Sequence, residues 1–162
     1  ADSPSHFFIG RGTGHPVALE GALKFKEITY EHAEGFAAGE LKHGPLALVT
    51  AETPVFAVLS GDYDEKTYGN MEEVKSRGAP VVALTDAPES VSRVTDDVIA
   101  MPETHEDLKS LLANVQLQLL SYHAASLRGG SPRRRLSLAR RSVRRSVSGR
   151  LTLRRPGSAS FA

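Results

Sequence analysis

The chain contains no cysteine. That one absence excludes a cysteine nucleophile, a thiolate metal site and a disulfide framework together. Long apolar runs are also missing: the longest stretches are short and interrupted, as in Pro54 to Leu59. No membrane span or signal peptide is read from them, and a cytoplasmic protein is the simplest expectation. Acids are absent from residues 128–162, which carry 11 arginines and no lysine, whereas residues 1–127 carry all 19 acids and only nine bases. The formal charge of +1 therefore conceals a body at −10 and a tail at +11. So acidic and Lys-poor a body fits a salt-rich cytoplasm, although net charge bears on solubility and not on fold.

What is present divides at the same point. Residues 1–127 are enough for one domain with its own core, needing no metal or disulfide. In 128–162 the apolar side chains are scattered among Arg and Ser with no sustained period, so this tail is expected to be disordered. Eleven arginines could contact a phosphate backbone, which makes nucleic-acid binding a possible second function. Against it, no aromatic residue precedes Phe161 in the tail and RGG occurs once. An altered, out-of-frame C-terminus explains the composition better, and nucleic acid is not expected as a partner.

Along the body, short apolar runs at Ser5 to Gly10, Pro54 to Ser60, Pro80 to Thr85 and Val98 to Met101 read as buried strands. Helical patterns separate them. A long helix is expected from Pro16 to Glu34, a surface helix from Asp64 to Arg77 stopping at Gly78, and a third from His105, capped by Thr104 with Asp107 at the third position. In that last helix Leu108, Leu111, Leu112, Val115, Leu119 and Tyr122 form an apolar stripe. Alternating strands and helices with short connections predict a three-layer α/β/α sandwich on a parallel sheet. Ligands in such sheets bind beyond the carboxyl ends of the strands, which places Gly10 to His15, Ser60 to Asp62 and Thr85 to Pro88 on one rim. Gly10, Gly12 and Gly14 do not have the spacing of a dinucleotide fingerprint; they suit a tight strand-to-helix turn.

The stretch GRGTGHPVALEGALKFKEITYEHAEGFAAGELKHGPLAL, residues 10–48, carries the chemistry. On a helix from Pro16 to Glu34 the residues Glu20, Lys24, Glu27, Glu31 and Glu34 share one narrow band, and most of the remaining circumference is apolar or small. The ordinary reading of such a band is an ion-pair ladder, Glu20 to Lys24 and Lys24 to Glu27. The alternative is a site. His43 follows within one short segment that Gly44-Pro45 ends abruptly, and a carboxylate, an ammonium and an imidazole are the materials of acid-base catalysis on a carbonyl compound.

The run ALEGALKFKEITYEHAEGFAAGELKHGPLAL resembles the signature of the second sugar isomerase (SIS) domain of the glucosamine-6-phosphate synthase family, the isomerising glutamine:fructose-6-phosphate aminotransferases. NMEEVKSRGAPVVALTD and NVQLQLLSYHAA extend the resemblance over most of residues 6–125, and the fold it implies is SIS-type and flavodoxin-like. The family reaction opens the ring of fructose 6-phosphate, adds ammonia at C2 and moves a proton from C1 to C2 to give glucosamine 6-phosphate. By matching position, the resemblance implies Glu27 as the base that carries the proton, Lys24 near the reacting carbons and His43 as the ring-opening residue, supplied across a homodimer interface. It implies no cofactor and no metal. The family's first SIS domain holds the sugar phosphate on a Ser/Thr-rich loop; here the comparable segment is LSGDYDEKT, so the substrate-binding residues of this chain stay unassigned. The C-terminal lysine that forms an imine with the keto sugar also lacks a counterpart, Lys109 being the last lysine. The chain therefore reads as a second SIS domain cut from a longer enzyme, inactive by itself. A non-catalytic phosphosugar-binding SIS regulatory module is the other reading that the residues allow.

Overall fold

The structure is a computed structural model and describes residues 3, 5–61 and 64–129. Five parallel strands form the sheet: β1 (His6–Gly10), β2 (Ala33–Ala37), β3 (Val55–Val58), β4 (Val81–Thr85) and β5 (Val98–Ala100). Their order is β2-β1-β3-β4-β5, so β3 is central with β1 and β4 on either side of it. β1 and β3 are buried along their length and, apart from His6, carry only apolar residues, as strands covered on two faces do. Alternation divides their side chains between two cores. Phe7, Ile9, Val55 and Ala57 pack with Tyr68, Met71 and Val74 of α2 (Asp64–Lys75) and with Leu41. Phe8, Phe56 and Val58 face the other way, onto Val17, Ala22 and Phe25 of α1 (Gly14–Thr29) and Ala113 and Leu117 of α4 (Glu106–Leu127). A short α3 (Pro88–Val91) completes the helices. The expected three-layer α/β/α sandwich on a parallel sheet is the architecture found.

Three expectations about elements need correction. Helix α1 ends at Thr29 and not at Glu34. Tyr30 takes the left-handed conformation (φ 65°) with its N–H on the Lys26 carbonyl, while the Thr29 hydroxyl donates to the Phe25 carbonyl and accepts the Glu31 N–H. The chain then enters β2, which pairs in parallel with β1 from His6 opposite Ala33 to Gly10 opposite Ala37. Glu31 and Glu34 are therefore in a turn and an edge strand, and only Glu20, Lys24 and Glu27 remain on the helix. Helix α4 begins one residue later than expected. Its cap is His105, whose Nδ1 accepts the Asp107 N–H at 3.4 Å, and not Thr104.

The third correction concerns α4 itself. Its inward line is Ala113, Leu117, Ser121 and Ala125. Most of the apolar stripe lies on the opposite side: Leu108, Leu111, Val115, Leu119 and Tyr122 are exposed, Leu111 at 62% and Tyr122 at 47%, while Leu112 packs partly against the core. Small inward residues let α1 and α4 approach closely, with Leu117 lying against Gly21, where an added Cβ would come within 2.4 Å of its Cδ1. Leu19 and Leu23 on the outer side of α1 are also exposed. These exposed apolar side chains lie on the outer faces of α1 and α4. No described helix is long and apolar enough to cross a membrane. The expectation of a disordered tail falls almost wholly outside the described residues; Arg128 is described and ion-pairs with Glu31.

The close approach of β2 to α1 can be tested at Gly35. A Cβ there would stand 2.7 Å from the Leu19 Cα and 2.9 Å from the Ala18 carbonyl oxygen, both backbone atoms that cannot swing aside. Gly35→Ala should cost about 1 to 3 kcal/mol, read as a melting temperature lower by roughly 3 to 10 °C. Gly69→Ala, in α2 with nothing within 4 Å, should instead raise stability slightly.

Candidate functional site

Helix α1 starts from the tight turn after β1, where Gly10 lies against the Gly14 carbonyl, and Pro16 occupies its first turn. With Val17, Ala18, Ala22 and Phe25 buried, the 3.6-residue period turns Glu20, Lys24 and Glu27 outward. The Lys24 ammonium is 2.8 Å from Glu27 Oε2 and 3.4 Å from Glu20 Oε1. The hydrogen bond to Glu27 holds the Lys24 pKa above its usual value, and the charge of Glu20 adds to the effect. Exposed Leu19 and Leu23 run alongside this ridge. On its other flank a cleft of about 300 Å³ is walled by Pro16, Val17, Glu20, Ser110, Leu111 and Asn114. Asn114 Oδ1 is screened from solvent there with no hydrogen-bond partner among the described residues.

His43 is elsewhere. It ends a 3-10 segment, Ala38–His43, that follows β2 and stops at Gly44 (φ 149°) before a second short turn, Pro45–Leu48. Leu41 of that segment is buried in the core on the α2 side of the sheet, the face opposite α1. Glu27 lies in the last turn of α1, which returns the chain toward the amino end of β2, while His43 follows the carboxyl end of that strand. Lys24 and Glu27 are thus brought together within the chain. His43 is not brought to them.

The rim expected beyond the carboxyl ends of the strands contains a second polar group of residues, to which the structure adds Asp64 and Lys109. Between β1 and β3, where strand order reverses, the hydroxyls of Thr13 and Ser60 are 3.1 Å apart. The Asp64 carboxylate accepts the N–H groups of Ser60 and Gly61 at 3.1 and 3.3 Å. Burial raises the Asp64 pKa, although both hydrogen bonds oppose the shift. Lys109 pairs with Asp86 at 2.9 Å beside it. The amides that could face a phosphate here are engaged by the chain's own carboxylate. Among the described residues no cluster of His, Asp and Glu could hold a metal ion.

Comparison with known proteins supplies the class. Residues 1–128 match the SIS domain family, and the chain belongs to it. Among individual proteins, it is 51% identical over 140 residues to glutamine-fructose-6-phosphate aminotransferase (isomerizing) of Thermococcus kodakarensis, covering 86% of this chain and 23% of that one. It is 54% identical over 132 residues to the enzyme of the same name from Halobacterium salinarum, covering 80% and 21%. The chain spans less than a quarter of the length of these relatives. Its fold matches the solved C-terminal domain of glucosamine-fructose-6-phosphate aminotransferase from Francisella tularensis with a TM-score of 0.73 and 41% identity, over 81% of this chain and 38% of that one.

A partly exposed ion triplet contributes little to folding. Lys24→Met should cost about 0.3 to 1 kcal/mol at pH 7. Because folding raises the Lys24 pKa, the stabilisation is fully present below 10.5 and is lost as pH rises through the folded-state value. The melting-temperature gap between Lys24→Met and the unsubstituted chain should therefore close in alkaline buffer, and a gap independent of pH would mean that packing, not charge, is lost.

Proposed function

We propose that the chain is the phosphosugar-binding isomerase domain of an enzyme resembling glucosamine-6-phosphate synthase, the isomerising glutamine:fructose-6-phosphate transaminase. The observation that carries this reading is the Lys24 and Glu27 pair, 2.8 Å apart, on an outward ridge bordered by exposed leucines. A charged ridge within apolar surface becomes desolvated once a second protein surface covers it, and desolvation is what a carboxylate needs to act as a base. Ammonia replaces the C2 oxygen of fructose 6-phosphate as an imine, with loss of water. Glu27 then takes the proton from C1 and returns it to C2. Lys24 stabilises the negative charge that develops on the enolamine.

His43 opens the sugar ring in the site of a second subunit, which makes the working form a homodimer. Its placement on the opposite face from Glu27 supports that arrangement, since one copy of the chain could not bring the two to a common substrate. The sugar phosphate is held chiefly by the rest of the enzyme, as the engagement of the Ser60 and Gly61 amides by Asp64 suggests. A cytoplasmic location follows from the substrate class.

In a complete enzyme carrying this domain, Glu27→Gln should lower kcat by about 10²- to 10⁴-fold and shift stability by less than about 1 kcal/mol. Unfolding of the domain by this substitution would support an ion ladder instead of a base. The chain alone, given fructose 6-phosphate and ammonium, should form no glucosamine 6-phosphate, because orientation is worth about 7 to 11 kcal/mol and little here orients the substrate. Turnover above a Glu27→Gln control would show that the domain holds a complete site.

A further inference from the structure

The short segment that bears His43 has few supports of its own. It is a 3-10 turn without a side-chain cap, and it exits through a glycine. Hydrogen-bond geometry in 3-10 turns is poorer than in α-helices, so what surrounds such a segment decides where its side chains stand. Ala38 and Leu41 are buried beneath this one. Lys42 reaches Glu73 of α2 at 3.4 Å, but both side chains are about half exposed and such a pair holds little. A further contact is Arg11.

Arg11 follows β1 directly. Its Nε and Nη2 donate to Asn70 Oδ1 at 3.2 and 3.0 Å, and Asn70 of α2 is only 3% exposed. Asn70 Nδ2 donates in turn to Glu73 Oε2 at 3.3 Å. A guanidinium fixed in this way is a flat, charged plate. Gly39 lies against it, so closely that an added Cβ would be 2.8 Å from Nη2 and 3.1 Å from Cζ. Hydrogen bonds from an ionised donor are about twice as strong as neutral ones, so displacing the plate is not free. The amide of Asn70 anchors Arg11, and Arg11 sets how near the 38–43 segment comes to the end of β1.

We propose that Arg11 is a positioning residue for His43: its guanidinium, held by Asn70, fixes the turn at Gly39 and so the place from which the imidazole acts. This rests on the role given to His43 above. It predicts that Arg11→Ala, Arg11→Lys and Gly39→Ala have one phenotype, the first two by removing the plate and the third by pushing it away. Lysine is not a substitute, because a single ammonium offers neither the fork to Asn70 nor a flat face to Gly39.

Two measurements test it. By amide hydrogen exchange on the 162-residue chain, each substitution should speed exchange at residues 39–43 about tenfold or more and leave β1, β3 and β4 unchanged. Unchanged exchange at 39–43, or equal loss across the sheet, overturns the proposal. In a complete enzyme carrying the domain, Arg11→Lys should lower kcat with KM for fructose 6-phosphate unchanged, and should lower it no further when His43→Ala is already present. A further loss in that background would mean that Arg11 acts other than through His43. Full activity of His43→Ala alone would instead remove the role assigned to His43, whatever the exchange data show, so the two failures are distinguishable.

Discussion

The structure depends on how closely α1 approaches its neighbours. Gly35 of β2 lies against the backbone of Ala18 and Leu19, and Gly21 lies against Leu117 of α4. Neither position has room for a Cβ without something moving. Seated this low on the sheet, α1 buries Val17, Ala18, Ala22 and Phe25, and its period then leaves Glu20, Lys24 and Glu27 no direction but outward. The tilt and depth of one helix fix both a core and a site.

The surface around that ridge explains why the domain reads as a part. Exposed leucines on α1, and Leu111 of α4 across the cleft beside Glu20, border a charged pair that water still reaches. In water such a pair is a weak stabiliser. Under a second surface the same groups face a low dielectric, where their protonation states and mutual attraction change in weight. On the proposed reading, assembly is therefore what turns an ion ladder into catalytic groups. The separation of His43 from Glu27, across the sheet and at the other end of β2, fits the same account.

Much of this was legible in the sequence, and the failures have identifiable causes. Strands β1, β3 and β4 are continuous apolar runs, and α2 is bounded by Asp64 and Gly78, so periodicity and turn chemistry placed them. The end of α1 carries no such punctuation: Tyr30 is a non-glycine residue in the left-handed conformation, and only tertiary pairing of Ala33–Ala37 with β1 reveals β2. That strand, Ala-Glu-Gly-Phe-Ala, is short, lies at the sheet edge and holds Ala, Glu and Gly, all weak strand formers, so neither propensity nor alternation marks it. In α4 the period is right, but periodicity gives a stripe without saying which side of the helix packs on the domain, and here most of the stripe faces outward. Arg11 and Asn70 are 59 residues apart, and nothing in the spacing joins them.

The central claim is that Glu27 and His43 of different subunits make one site. The direct measurement is complementation between two complete enzymes carrying this domain, one with Glu27→Gln and one with His43→Ala, each keeping only a small residual activity as a homodimer. When subunits exchange in equal amounts, half the dimers are mixed and each has one intact site, so roughly a quarter of the unsubstituted activity should return. A mixture whose subunits have exchanged and which remains as inactive as either parent would contradict the account.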